Sequence, residues 1–83
     1  MARHEKRLAK MRRNPSDVSW ADLVAVCDLC FGKPRRRKGS HLIYETPWMD
    51  HPVLVLQPRK GRAKPYQVRQ VLQAIDVMEG QDD

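Results

Sequence analysis

The sequence lacks any long apolar segment, since none of its hydrophobic runs approaches the roughly 20 residues that a membrane-spanning helix needs. Its basic N-terminus is not followed by an apolar stretch of the signal-peptide kind. We therefore expect a cytosolic protein. Cysteine is scarce as well, and in that compartment we expect Cys27 and Cys30 to be reduced thiols rather than a structural disulfide.

The shortage of cysteine also argues against a zinc site. A structural zinc needs four ligands, and the Cys27-x-x-Cys30 pair has no second cysteine pair to complete it. His41 and His51 do not have the close spacing of zinc-finger histidines. Because both thiols continue the apolar stripe of a predicted helix, we expect them to pack in the core, and we predict no metal and no cofactor.

The chain has 83 residues, which allows one small domain. A domain of this size removes only roughly 60% of its unfolded surface from water. Its core must be simple, and a deep pocket is not expected.

Positive charge is present in excess, with a formal net charge of +6. Fifteen of the sixteen lysines and arginines lie in three segments, which we call the N-terminal block (residues 3–13), the central block (33–38) and the third block (59–64). Any one of them could be a solvated loop. Three together favour a surface that binds a polyanion such as RNA or an acidic protein.

The N-terminal block contains good helix formers but only Leu8 and Met11 as an apolar pair. A helix there has little to bury. We therefore interpret residues 1–17 as a loosely docked basic extension whose removal should spare activity, and residues 18–80 as the folded domain.

Patterning in that domain predicts a helix, two or three strands and a second helix. The first helix has a possible N-cap at Ser16, Asp17 or Ser19, helical apolar spacing from Trp20 to Phe31, and a stop at Gly32. The spacing of Val68, Val71, Leu72, Ile75 and Met78 predicts the last helix, which Pro65 begins. Residues 40–46 and 53–56 are predicted strands, whereas 33–38 is either a loop or an edge strand. The result is an α+β fold of order α-β-β-β-α, with an antiparallel sheet and both helices on one face.

The segment Lys38-Gly39-Ser40-His41-Leu42-Ile43-Tyr44, in its place between the first helix and an apolar strand, resembles the HicA toxin family. The resemblance covers roughly residues 18–78. It implies a fold similar to a double-stranded-RNA-binding domain, cleavage of messenger RNA in which His41 is required, and a HicB-type antitoxin protein as partner.

The chemistry of His41 agrees with that implication. Histidine can accept and donate a proton near neutral pH, as cleavage at a ribose 2′-hydroxyl requires without any metal. If Leu42 and Tyr44 face the helices, strand alternation turns His41 outward, beside the central block. Gly39 would allow a close approach to phosphate, and Ser40 could donate a hydrogen bond to it. The predicted RNA-binding residues are Arg35, Arg36, Arg37, Lys38, Gly39, Ser40, Lys60, Arg62 and Lys64.

Other readings remain open at this point. His41 could simply begin a strand, Glu45 is better explained as a solvated residue than as a partner base, and Tyr44 as a core residue. His51 and His4 are interpreted as incidental. The competing functions are a non-catalytic RNA-binding module and a basic interaction protein that docks an acidic partner.

Overall fold

The fold is described by a computed structural model for residues 3–39 and 41–80. The helices are α1 (Arg3–Arg13), α2 (Trp20–Phe31) and α3 (Pro65–Gly80), and the strands are β1 (Arg36–Lys38), β2 (His41–Glu45) and β3 (Val53–Leu56). The strands form one antiparallel sheet in the order β1-β2-β3. The predicted α+β class and the α-β-β-β-α order of residues 18–80 are therefore correct, with α1 added in front.

Local signals determine where α2 begins and ends. The Ser19 side chain accepts a hydrogen bond from the backbone N–H of Asp22 at 3.1 Å, which satisfies one of the free donors at the start of the helix. At the other end, the N–H of Gly32 bonds to the carbonyl of Asp28, and Gly32 has a φ of 83°. Of the three predicted caps, Ser19 is the one used.

Most of the core lies between the sheet and the helices α2 and α3. Leu42 pairs with Leu56 and Tyr44 with Leu54, so these four residues share the sheet face that α2 and α3 cover. All four side chains are buried. The predicted placement of both helices on one sheet face follows from this arrangement. We call the opposite side of the sheet the open face.

The two edge strands of the sheet are protected from pairing with further strands in different ways. The edge strand β1 carries three exposed cationic side chains, which oppose pairing with another strand. Beside the other edge strand, β3, the buried side chain of Gln67 bonds to backbone groups of Gln57 and Val55. The central block thus includes an edge strand, one of the two possibilities that its sequence leaves open.

The loosely docked extension expected from the sequence is not what the structure contains. Met11 is 1% exposed and belongs to the core, and Leu8 packs against it. Arg12 forms a two-point ion pair with Asp76, at 2.6 and 3.1 Å, and Arg7 lies 3.5 Å from Asp22. These contacts dock α1 against α3 and α2 respectively. Met11, together with Leu8 and the two ion pairs, anchors this helix, and the pattern of a short basic segment does not reveal these contacts.

None of the helices in residues 3–39 and 41–80 combines the length and the apolar content needed to cross a membrane.

Candidate nucleic-acid interface

His41 is the first residue of the central strand β2, and its side chain lies on the open face. The reason is alternation along the strand: Leu42 and Tyr44 are buried against the helices, while His41 is only half-buried. The predicted outward orientation of His41 is correct. Lys38 of β1 stands directly opposite His41, a register that brings their Cβ atoms to about 5 Å.

Strand alternation divides the central block between the two faces of the sheet. Arg36 pairs with Ile43 and Lys38 with His41, so both cations lie on the open face. Arg37 pairs with Leu42 and therefore lies on the helix side. Its charge there acts on the Tyr44 phenol, opposing the rise in pKa described below. Cations that are consecutive in sequence thus serve different surfaces.

The chain reverses between Lys38 and His41 through Gly39, which has a φ of 59°. A side chain is disfavoured in this left-handed conformation, although the space around Gly39 is open. The need for glycine is therefore conformational, and Gly39 leaves an uncrowded surface beside His41. Ser40, a predicted RNA-binding residue, lies outside the described residues.

The third block forms a second tight turn. Arg59 and Arg62 exchange backbone hydrogen bonds of 2.9 and 3.0 Å, and the two residues between them, Lys60 and Gly61, have φ values of 53° and 75°. Positive φ at both central positions is the hallmark of a type I′ turn. Two further backbone bonds, Trp20 N–H to Gly61 O and Ala63 N–H to Val18 O, attach this turn to the start of α2.

The strand register brings both basic turns to the same end of the sheet. Leu42 pairs with Leu56, so β2 begins at the end where β3 finishes and the third block follows. The β1–β2 reversal lies at that end too. His41 therefore lies at the same end of the sheet as both cationic turns, which are separated by some twenty residues of sequence.

The predicted cations of the third block differ in their surroundings. Lys60 is exposed and Lys64 half-buried, and neither belongs to an ion pair within the described part of the chain. Arg62 forms an ion pair with Asp17. Its charge is thus partly neutralised.

The other titratable residues considered from the sequence do not lie close to His41. Glu45 shares the open face but lies four residues along β2, or about 13 Å away. His51 is exposed in the turn that precedes β3, at the opposite end of the sheet. His4 falls within α1, and its side chain lies outside what the structure describes.

Tyr44 is a core residue, as expected. Its hydroxyl donates a hydrogen bond of 2.7 Å to Asp28 Oδ1, and its ring packs edge-on against Phe31 with centroids 6.2 Å apart. Burial raises the pKa of the phenol well above its ordinary value, and the bond to Asp28 adds to this rise. Tyr44 is therefore a protonated structural donor.

Both cysteines are free thiols on α2. Cys27 is fully buried in the core and Cys30 packs against it, in agreement with the expected packing role. Burial raises the pKa of each thiol, which suppresses the reactive thiolate. In residues 3–39 and 41–80, no three histidine, cysteine or acidic side chains are grouped as a metal site would require.

Comparison with known proteins gives no relative: no family model, no curated protein and no solved structure matches this chain. The resemblance to the HicA family and to a double-stranded-RNA-binding fold thus stays a prediction.

Proposed function

We propose that this protein is a metal-independent endoribonuclease in which His41 is the catalytic residue. The observation that carries the proposal is the position of His41: on the open face, directly opposite Lys38, at the end of the sheet that also has the two cationic turns.

Binding would rest on phosphate contacts. On the open face, Arg36 and Lys38 are both exposed beside the proposed catalytic residue. Cations at such spacing position a nucleic-acid backbone without reading its sequence. The third block adds further positive charge at the same end of the sheet, beyond the last residue of β3.

The chemistry would use the ribose itself as nucleophile. The imidazole of His41 takes the proton of a 2′-hydroxyl, the 2′-oxygen bonds to the adjacent phosphorus, and the bond from phosphorus to the 5′-oxygen breaks. The departing 5′-oxygen takes up a proton from the imidazolium or from water. The products are a 2′,3′-cyclic phosphate and a 5′-hydroxyl. Lys38 would stabilise the negative charge that grows on the phosphoryl oxygens.

The experiment is RNA cleavage by purified protein in the presence of EDTA. Removing a general base typically costs 10²- to 10⁴-fold in rate, so His41→Ala should lose cleavage by about that factor while retaining its fold and most RNA affinity. His51→Ala is the matched control, because it removes a histidine from the far end of the sheet. Wild-type cleavage by His41→Ala would refute the catalytic assignment.

A non-catalytic RNA-binding module is the second candidate. It is favoured by the separation of about 13 Å between His41 and Glu45, which leaves His41 without a carboxylate partner along β2. RNA binding without cleavage in the same assay would favour it. Binding of an acidic protein but not of RNA would favour an interaction protein instead.

The biological role in the proposal comes from the HicA resemblance: a toxin of a toxin–antitoxin pair that acts on messenger RNA and is held inactive by a HicB-type antitoxin. Its test is growth arrest on expression, which His41→Ala should relieve. Growth arrest of equal strength with His41→Ala would contradict this role.

A further inference from the structure

A cleft of about 370 Å³ lies between the basic turn of the third block and the first turn of α3. Its lining contains four cations and one aromatic ring, and it includes no acidic side chain: Ser16, Arg59, Lys60, Arg62, Ala63, Lys64, Pro65 and Tyr66. This composition fits a ligand that combines negative charge with a flat apolar surface.

The cationic side of the cleft has fixed geometry. The Lys60–Gly61 turn is closed by the paired backbone bonds of Arg59 and Arg62, and the N–H of Trp20 donates to Gly61 O at 3.1 Å. Asp17 pairs with Arg62. Arg59, Lys60 and Lys64 form no ion pair within the described part of the chain. Their charges remain for a ligand.

The aromatic side of the cleft is the exposed ring of Tyr66, which is hydrogen-bonded to a buried residue. Tyr66 is 54% exposed, and its hydroxyl accepts a hydrogen bond of 3.3 Å from Nε2 of Gln67. Gln67 is buried, and its Oε1 accepts the backbone N–H of Gln57 at 3.1 Å. The ring is thus attached to the edge of β3, while about half of the residue stays exposed to solvent. Exposed aromatic rings beside cations are the usual platforms for unpaired bases.

We propose that this cleft binds one nucleotide of single-stranded RNA, with its base stacked on Tyr66 and its phosphate held by Arg59, Lys60 and Lys64. That the strand is RNA rests on the proposed function. The base must be unpaired, because a base within a duplex offers no free face to the ring. The cleft follows the end of β3 and therefore lies at the same end of the sheet as His41.

The test is the affinity of 2′-fluoro-substituted single-stranded oligonucleotides, which lack the 2′-hydroxyl and stay intact, measured by fluorescence anisotropy. Stacking on an aromatic side chain is worth about 1–3 kcal/mol per base, so Tyr66→Leu should weaken binding roughly 5- to 150-fold. Tyr66→Phe keeps the ring but loses the hydrogen bond between its hydroxyl and Gln67, so its affinity should lie between those of the wild type and Tyr66→Leu. Tyr66→Leu should leave the salt dependence unchanged, whereas Lys60→Gln/Lys64→Gln should lower the slope by about 0.7 for each lost contact.

An abasic scan identifies the stacked base using the wild-type protein, so the test does not depend on a folded variant. Moving one abasic site along the oligonucleotide should weaken wild-type binding at the subsite position and have no further effect on Tyr66→Leu. Equal affinities of Tyr66→Leu and wild type, an abasic effect that is the same in both proteins, or no oligonucleotide binding at all would overturn the subsite. The two proposals can fail separately. If His41→Ala still cleaves RNA but binding still depends on Tyr66, the catalytic assignment is wrong and the nucleotide subsite is retained.

Discussion

At the scale of single residues, the alternation of β1 decides which cations can serve His41. Arg36 and Lys38 share its face, whereas Arg37 lies on the helix side and Arg35 precedes the strand. The sequence presents these four as one basic run. Their contributions to RNA binding should therefore be unequal.

We expect Arg36→Gln/Lys38→Gln to weaken RNA binding and to lower the slope of log affinity against log salt by about 0.7 for each lost phosphate contact. The matched control is Arg35→Gln/Arg37→Gln, which removes the same charge from the alternate positions and should change the slope less. Affinity measured across a salt series gives the comparison. A larger effect of the control pair would mean that RNA does not use the open face.

A second prediction at this scale concerns the Tyr44 hydroxyl, which donates to Asp28 at 2.7 Å. A hydrogen bond to a charged group typically contributes about 1.5–3 kcal/mol, so Tyr44→Phe should lower the free energy of unfolding by about that amount. Tyr66→Phe, which alters an exposed ring, is the control and should change it by less than about 0.5 kcal/mol. Urea titrations measure both variants, and equal stabilities would show that the Tyr44 bond contributes nothing.

The pH dependence of stability follows from the same phenol. Because the folded pKa of Tyr44 is raised, its contribution is complete below the unfolded pKa of about 10 and is lost as the pH rises above it. Unfolding measured from pH 8 to 11 should therefore show a smaller alkaline loss of stability in Tyr44→Phe than in the wild type. Identical alkaline losses in the two proteins would contradict the raised pKa.

At the scale of elements, α1 joins the fold chiefly through Met11, whereas most of its charges stay in solvent. Replacing a buried methionine by alanine costs about 2–5 kcal/mol, a large fraction of the stability of a small domain. Met11→Ala should therefore lower the midpoint of thermal unfolding by at least about 8 °C. Lys10→Gln, one residue away and exposed, should leave it nearly unchanged. An equal midpoint for Met11→Ala and the wild type would show that α1 is only loosely docked.

The helices α2 and α3 and the strands β2 and β3 could be predicted from sequence because each carries a complete local signal. Ser19 caps, Pro65 begins a helix, and the apolar residues repeat at helical or strand spacing. The state of β1 could not be decided in this way. Three cationic residues become a strand only because β2 offers them a partner.

The candidate site was only partly accessible from sequence for a related reason. His41 could be singled out from its motif and its alternation with Leu42 and Tyr44. Its nearness to the third block depends on strand register, and the role of Tyr66 depends on the support of Gln67. Lys60 has the positive φ that the turn beside the cleft requires, but lysine is not a residue type from which a positive φ can be predicted.

At the scale of the whole molecule, the fold gathers charge that the sequence distributes. The pairing of β1 with β2 and of β2 with β3 brings the β1–β2 turn of the central block and the third block to the end of the sheet that also holds His41. Ion pairs with Asp22 and Asp76 engage part of the N-terminal block in docking α1. We therefore expect RNA to bind at this end of the domain, with the 2′-oxygen at the cleaved position next to His41.

The measurement that tests this claim most directly is cleavage, in EDTA, of one RNA and of the same RNA carrying a single 2′-deoxy nucleotide at the cleaved position. The account predicts that the unmodified RNA gives fragments ending in a 2′,3′-cyclic phosphate and a 5′-hydroxyl, and that the deoxy substitution blocks that cut, as His41→Ala does. Cleavage of the substituted RNA at an undiminished rate, or fragments ending in a 3′-hydroxyl and a 5′-phosphate, would contradict it.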